Sequence, residues 1–237
     1  MKLSGWGRFP VSDCHVRQAR CEADVLAAIA SGSLIARGNG RAYGDSALNP
    51  VLTLDMRQFN RMLSFDATSG TLVAEAGTML ADIIATFLPR GWFPYVTPGT
   101  KFVTLGGMIA ADVHGKNHHG DGAFGQFVDW FDLACADGSI RRCSRSENAE
   151  LFAWTIGGMG LTGVVLRMAL RLRPVESAWI RQTMIPAPDL GAAMATFEST
   201  LAATYSVAWI DCLASGARLG RSLVMLGEHG KAEDLPE

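Results

Sequence analysis

The five cysteines of this chain, at 14, 21, 135, 143 and 212, form no Cys-x-x-Cys pair and are odd in number. That scatter argues against a disulfide framework and points to a reducing compartment. An excess of charge of one sign is missing too. The balance of 21 Lys+Arg against 23 Asp+Glu gives a net charge of −2, so no global attraction to nucleic acid or anionic lipid is expected. Long apolar runs are also absent. The longest uncharged stretch, LFAWTIGGMGLTGVVL (151–166), is too short and glycine-rich to span a bilayer. The opening MKLSGWGRFP lacks the apolar centre of a secretory leader. A cytoplasmic location is expected, with membrane association through a substrate or partner left open.

Present instead are 49% hydrophobic residues and 26 glycines in 237 positions, enough apolar material for one or two packed domains. EADVLAAIASG (22–32) has Val25, Leu26 and Ile29 on one face with Gly32 as a stop, which predicts a helix between short strands at 33–36 and 51–56. The turns DATSG (66–70) and Asp137-Gly138 predict hairpins. Helical spacing recurs over 78–91, where Thr78 is the expected N-cap, and over 148–156. VVLRMALRLR (164–173) alternates as a strand, with Leu166, Met168, Leu170 and Leu172 on one face and three solvated arginines on the other, until Pro174. Beyond it come a helix over 189–204 capped by Asp189, a strand over 205–212 and an apolar stretch at 222–226. A boundary near 174 would divide the chain into domains 1–174 and 175–237, the second too small to close its own core.

Glycines gather in three places. RGNGRAYGD (37–45) has the spacing G-x-G-x-x-x-G and runs into a strand, so it lacks the strand–glycine–helix geometry of a Rossmann turn and the G-K-[ST] of a P-loop. Its backbone could still cradle a diphosphate, with Arg37 and Arg41 adding charge. Taken alone, it is equally a surface turn. PGTKFVTLGGMIAADVHG (98–115) and TIGGMGLTGVV (155–165) are the other two clusters. Three such loops in one domain imply a large ligand contacted mainly by backbone.

In this order, RGNGRAYGD, PGTKFVTLGGMIAADVHGKNHH and AELFAWTIGGMGLTGVV resemble the FAD-binding (PCMH-type) domain of the vanillyl-alcohol oxidase flavoprotein family. The likeness is strong over 36–173 and looser to about 226. It implies an α+β fold, a two-lobed flavin domain followed by the beginning of a substrate (cap) domain. It also implies that Ala36, Arg37, Gly38, Asn39, Gly40, Arg41, Ala42, Tyr43, Gly44, Asp45 and Ser46 wrap the FAD pyrophosphate. Gly99, Thr104, Leu105, Gly106 and Gly107 would line the cofactor, and Ala111, Asp112, Val113, His114 and Val165 would complete its bed. Arg41 stands where many relatives carry the histidine that bonds flavin covalently, so noncovalent FAD is expected.

Three of the five histidines crowd into ADVHGKNHH (111–119). His114 and His118 are four apart, but Gly115 and Asn117 interrupt a helix and no third ligand suggests itself, so no metal is assigned. Oxidising an alcohol requires removal of a hydride and a hydroxyl proton. The candidates beside the reaction are His114 and Lys116, whose plainer roles are to hydrogen-bond the cofactor and to bind a substrate phosphate. Polar satisfaction of the loop is the default for His118 and His119, and Asp112 would hold a turn or a cofactor hydroxyl. The resemblance implies oxidation of a secondary alcohol of a sugar or polyprenyl-phosphate sugar to a ketone, by hydride transfer to flavin N5. A nicotinamide-dependent reductase would be a partner. Family members run longer, with a cap that supplies a further lysine, so the alternative is a truncated flavin-binding module without its own turnover.

Overall fold

The computed structural model describes residues 1–234 as a mixed α+β fold with two lobes in its first 174 residues. A short hairpin, β1 (Lys2–Ser4) and β2 (Val11–Asp13), leads into the small lobe. There β3 (Val16–Gln18), α1 (Glu22–Ala30), β4 (Ile35–Arg37) and β5 (Thr53–Asp55) form a parallel sheet in the order β3-β5-β4. Val25 and Ala28 of α1 are fully buried against Leu52 and Leu54, and Gly32 breaks the helix at φ 116°.

The large lobe contains β6 (Met62–Asp66), β7 (Thr71–Glu75), α2 (Leu80–Phe87), β8 (Trp92–Pro94), α3 (Leu105–Ala110) and α4 (His118–Asp121). It continues through β9 (Val128–Ala134), β10 (Ile140–Ser144), α5 (Ala149–Thr155) and β11 (Val164–Pro174). Its antiparallel sheet runs β10-β9-β11-β7-β6, with β8 on the far end of β11. Both expected hairpins form there. Two expectations are corrected. The residue preceding α2 is Met79, and the buried Thr78 hydroxyl has no partner rather than capping the helix. The alternation along β11 also breaks, because the pairing with β9 slips between Val165 and Arg167. A bulge reverses the faces of a strand. Val164 and Leu166 therefore enter the core of the small lobe, while Val165, Met168, Leu170 and Leu172 enter that of the large one. One strand thus serves two cores.

The arginines of β11 are paired rather than merely solvated. Arg167 reaches Asp132 at 2.6 Å and Glu22 at 3.5 Å, and Arg171 reaches Asp129 at 3.1 Å. Arg173 is mostly buried against Asp121. After Pro174 follow β12 (Ile180–Ala187), α6 (Leu190–Ser199), β13 (Tyr205–Ile210) and β14 (Ser222–His229), an antiparallel sheet in the order β12-β14-β13 with α6 on one face. Asp189 caps α6 through the Ala192 amide, and the helix stops at Ser199, short of the expected 204. No helix among the described residues is long and apolar enough to cross a membrane.

Asp132 ties β9, β10 and β11 together through Arg142 and Arg167. Burial raises the cost of its charge, but hydrogen bonds from the two arginines outweigh it and hold the carboxyl below its ordinary value. Its contribution is therefore present above the free carboxylate range and is lost as the pH falls through the lower folded value. Asp132→Asn is expected to cost about 2–3 kcal/mol in urea unfolding at neutral pH. The difference from the parent should shrink below about pH 4 as the parent carboxylate protonates.

Candidate functional site

Between the lobes runs a cleft enclosing about 1000 Å³ of empty space, the solvent at its mouth included. Its walls come from all three glycine clusters. The first follows β4. Ala36, the run Gly38 through Ala42, and Ser46 all face the cleft. Gly38 has no alternative: a Cβ there would lie 2.1 Å from Thr104 Oγ1. Among the described residues, none of the backbone N–H groups over 38–47 donates to a protein acceptor. Those of 38–42, 46 and 47 are half-buried, and such unsatisfied amides are costly unless something anionic or polar meets them. Among the described residues, Arg41 is the one charged residue on the wall. It donates to Asn39 O at 2.9 Å and lies 5.1 Å over the Trp6 ring.

Four first-loop residues stand elsewhere. Arg37 points away from the cleft and clasps the loop from behind, donating to Ala47 O at 3.2 Å and to Ser4 O at 2.8 Å. Burial lowers the basicity of its guanidinium, and its two carbonyl partners replace the anion expected for it. Tyr43, Gly44 and Asp45 form the exposed outer bend, closed by Leu48 N donating to Asp45 O at 2.9 Å.

The second cluster supplies Thr104, Gly106, Gly107, Ala111 and Val113. LGGMIA folds as α3 despite its two glycines because Leu105, Met108 and Ile109, on one face, are fully buried. Leu105 therefore belongs to the core rather than the cleft wall, and its amide is used on Thr78 O. Gly106 N is spent on Ala76 O, whereas the Gly107 amide meets no protein acceptor. A Cβ on Gly107 would touch only Thr104 Oγ1, at 3.3 Å, so any larger side chain grows into the cleft. Gly99 sits in an exposed turn off the wall. Asp112, at φ 39°, accepts from Gly125 N at 2.9 Å, which gives it the turn-holding role.

The third cluster adds Val165, and with it Thr155, Met159, Gly160 and Gly163. It is laced to α3: Gly157 N donates to Ile109 O at 2.9 Å and Met159 N to Ala110 O at 2.8 Å. Asn39 Nδ2 in turn bonds Phe102 O at 3.0 Å, so each loop holds the next. Sequence reasoning passed over Ala47, Met56, Ala76, Val103 and Ala110 on the wall. Gly160 and Gly163 carried a signal in their spacing; Met56 and Ala76 end strands and read as core. A second hollow of about 740 Å³ shares Gly160 and Gly163 with the cleft.

His114 lies just beyond Val113, exposed, bridged to Ala123 and 5.2 Å from the His118 ring. Lys116 is exposed between Gly115, whose Cβ position is blocked by Asn117 and Thr97, and the buried Asn117. Neither side chain is on the cleft wall. His119 is exposed rather than buried, its Nε2 2.8 Å from Ala203 O. No group of three or more His, Cys, Asp or Glu among the described residues is arranged to hold a metal ion.

The Arg37 clasp predicts that Arg37→Met lowers stability by about 2–4 kcal/mol in urea unfolding, two charged hydrogen bonds being lost. Arg41→Met, on the open side, should change it by about 1 kcal/mol or less.

The family described as FAD binding domain matches residues 15–144, more than half of the chain. Decaprenylphosphoryl-beta-D-ribose oxidase of Mycolicibacterium smegmatis is 35% identical over 99% of this chain and 53% of its own length. An uncharacterized protein in the mprA 5' region of Streptomyces coelicolor is 42% identical over 66% of the chain and 42% of its own. L-gulonolactone oxidase of Bos taurus is 31% identical over 58% of the chain and 31% of its own. The chain thus spans about half the length of the first and less of the others. With a family model matching more than half of its residues, the chain belongs to the FAD binding domain family of FAD-dependent oxidoreductases.

Proposed function

We propose that the cleft holds FAD noncovalently, with the half-buried amides of 38–42, 46 and 47 and Arg41 around its pyrophosphate. The single observation that carries this reading is the run of half-buried amides without acceptors beside a wall otherwise free of charge. Gly107 fits the same picture, because its bare amide and missing side chain leave room for close approach. With Arg41 inside the first glycine loop, no histidine is available there for a covalent bond to flavin.

The finer reading is oxidation of a secondary alcohol of a sugar or polyprenyl-phosphate sugar to a ketone. Bound FAD would supply the two-electron acceptor for the hydride leaving the alcohol carbon. His114 would hold or accept the hydroxyl proton, and Lys116 would meet a substrate phosphate as a point charge. The name of the Mycolicibacterium relative supports this substrate class. A nicotinamide-dependent reductase consuming the ketone is part of the same proposal. The second reading is a flavin-binding module that turns over only when completed by further chain, favoured by the 53% coverage of that relative.

Purified protein loaded with FAD is expected to be yellow, and acid should release the chromophore. Gly107→Val should keep the fold, judged by an unchanged melt without FAD, yet weaken FAD binding about a hundredfold or more, the affinity equivalent of about 2.7 kcal/mol. Unchanged flavin occupancy in that variant would remove FAD from this cleft. His114→Ala should retain FAD while slowing its anaerobic bleaching by a polyprenyl-phosphate sugar at least about a hundredfold. Bleaching of the parent flavin supports the enzyme; a yellow protein inert to every sugar alcohol supports the module.

A further inference from the structure

Hydrogen bonds join the sheet of β12, β13 and β14 to the rest of the molecule. Ser206 N donates to Lys116 O at 2.9 Å, and His119 Nε2 lies 2.8 Å from Ala203 O. Beside these contacts lies a half-buried polar knot. The Tyr205 hydroxyl and His229 Nε2 are 3.0 Å apart across β13 and β14, and the Phe93 ring of β8 meets His229 at a centroid distance of 5.6 Å, edge on. Arg173, the last arginine of β11, stands against this pair while it ion-pairs with Asp121 and lies 4.4 Å over the Tyr95 ring.

We propose that the Tyr205–His229 pair, set against Arg173, is an acid-releasable latch that holds the β12–β14 sheet onto the flavin-binding body beside His114–His119. The inference is independent of the bound cofactor. In the closed form the imidazole is neutral, and its Nε2 lone pair accepts from the Tyr205 hydroxyl. A proton on Nε2 reverses this bond, leaving the Tyr205 hydroxyl to accept from the ring, and sets a second positive charge near Arg173. Of the two carboxylates near the knot, Glu228 favours the protonated ring, but less than burial and Arg173 oppose it. Asp121 on α4 is committed to Arg173 and Asn117. Glu228, next to His229 on β14, bonds the amide and hydroxyl of Thr204. Burial, and then the Arg173 charge, hold the imidazole below its ordinary value, while burial pushes the Tyr205 hydroxyl up and keeps it a donor. A base whose folded value is depressed contributes fully above its unfolded value. That contribution is lost as the pH falls below it, so the latch weakens from about pH 6.5 downward.

Hydrogen exchange of the full chain at about pH 7.5 and pH 5.5, corrected for intrinsic rates, tests this. Amides of 203–210 and 222–229 should lose protection by about tenfold at the lower pH, one unit below the free imidazole value. The core strands β7, β9 and β11 should keep theirs. His229→Gln retains an acceptor for Tyr205 but cannot titrate, so it should keep protection at both pH values. His119→Gln should respond to acid like the parent. Equal acid loss in parent and His229→Gln, or its disappearance in His119→Gln alone, overturns the proposal. Should His229→Gln fail to fold, the His229 ring titration in the parent, followed by NMR, decides. A midpoint below about 6.5 that coincides with the loss of protection supports the latch, and a midpoint at or above that value overturns it.

Discussion

The bulge at Leu166 is the constraint on which the rest of the molecule depends. By turning β11 over partway along its length, it lets a single strand supply Val164 and Leu166 to one core and Met168, Leu170 and Leu172 to another. Two lobes built around one shared strand cannot drift apart, yet their surfaces do not merge. The seam between them is the cleft, floored by Met56 from the small lobe, Ala76 from the large one and Val165 at the bulge itself.

Glycine at the seam serves approach more than flexibility. Gly38 is dictated by Thr104, and Gly77, behind the floor, by the Met56 carbonyl, which a Cβ would meet at 1.9 Å. These positions are fixed by the protein alone. Gly107 is different: a Cβ there would press only on the Thr104 hydroxyl, at 3.3 Å, and a larger side chain would extend into the cleft. In the proposed reading the ligand there is FAD, and the loops bonded one to the next through Asn39, Ala110 and Ile109 hold the wall together.

Much of this was legible in the sequence. Turn residues marked the hairpins, apolar spacing marked α1 and α2, and glycine clustering marked the walls of the cleft. What escaped depended on contacts between distant segments. Nothing local says that Arg37 spends its charge on the carbonyls of Ser4 and Ala47, or that Thr78 is passed over as a cap in favour of the backbone at Met79. The bulge was hidden because VVLRMALRLR alternates equally well with or without an inserted residue, and only the pairing with β9 reveals it. Likewise, α3 contradicts the low helical propensity of its glycines because three buried side chains outweigh it. Tyr43, Gly44, Asp45 and Gly99 share motifs with cleft residues but fall on the outer turns of their loops, a distinction that spacing does not encode.

The clasp made by Arg37 extends the binding site to a part of the chain that touches no cleft. Because the guanidinium grips Ser4 and Ala47 together, and Trp6 takes the Ala42 carbonyl at 2.8 Å while lying under Arg41, the opening hairpin works as a strap around the first glycine loop. Shortening the chain at its start, or burdening Met1 with a tag, would thus slacken the cradle from outside, and a loss of flavin would follow from an alteration made where no flavin contact exists.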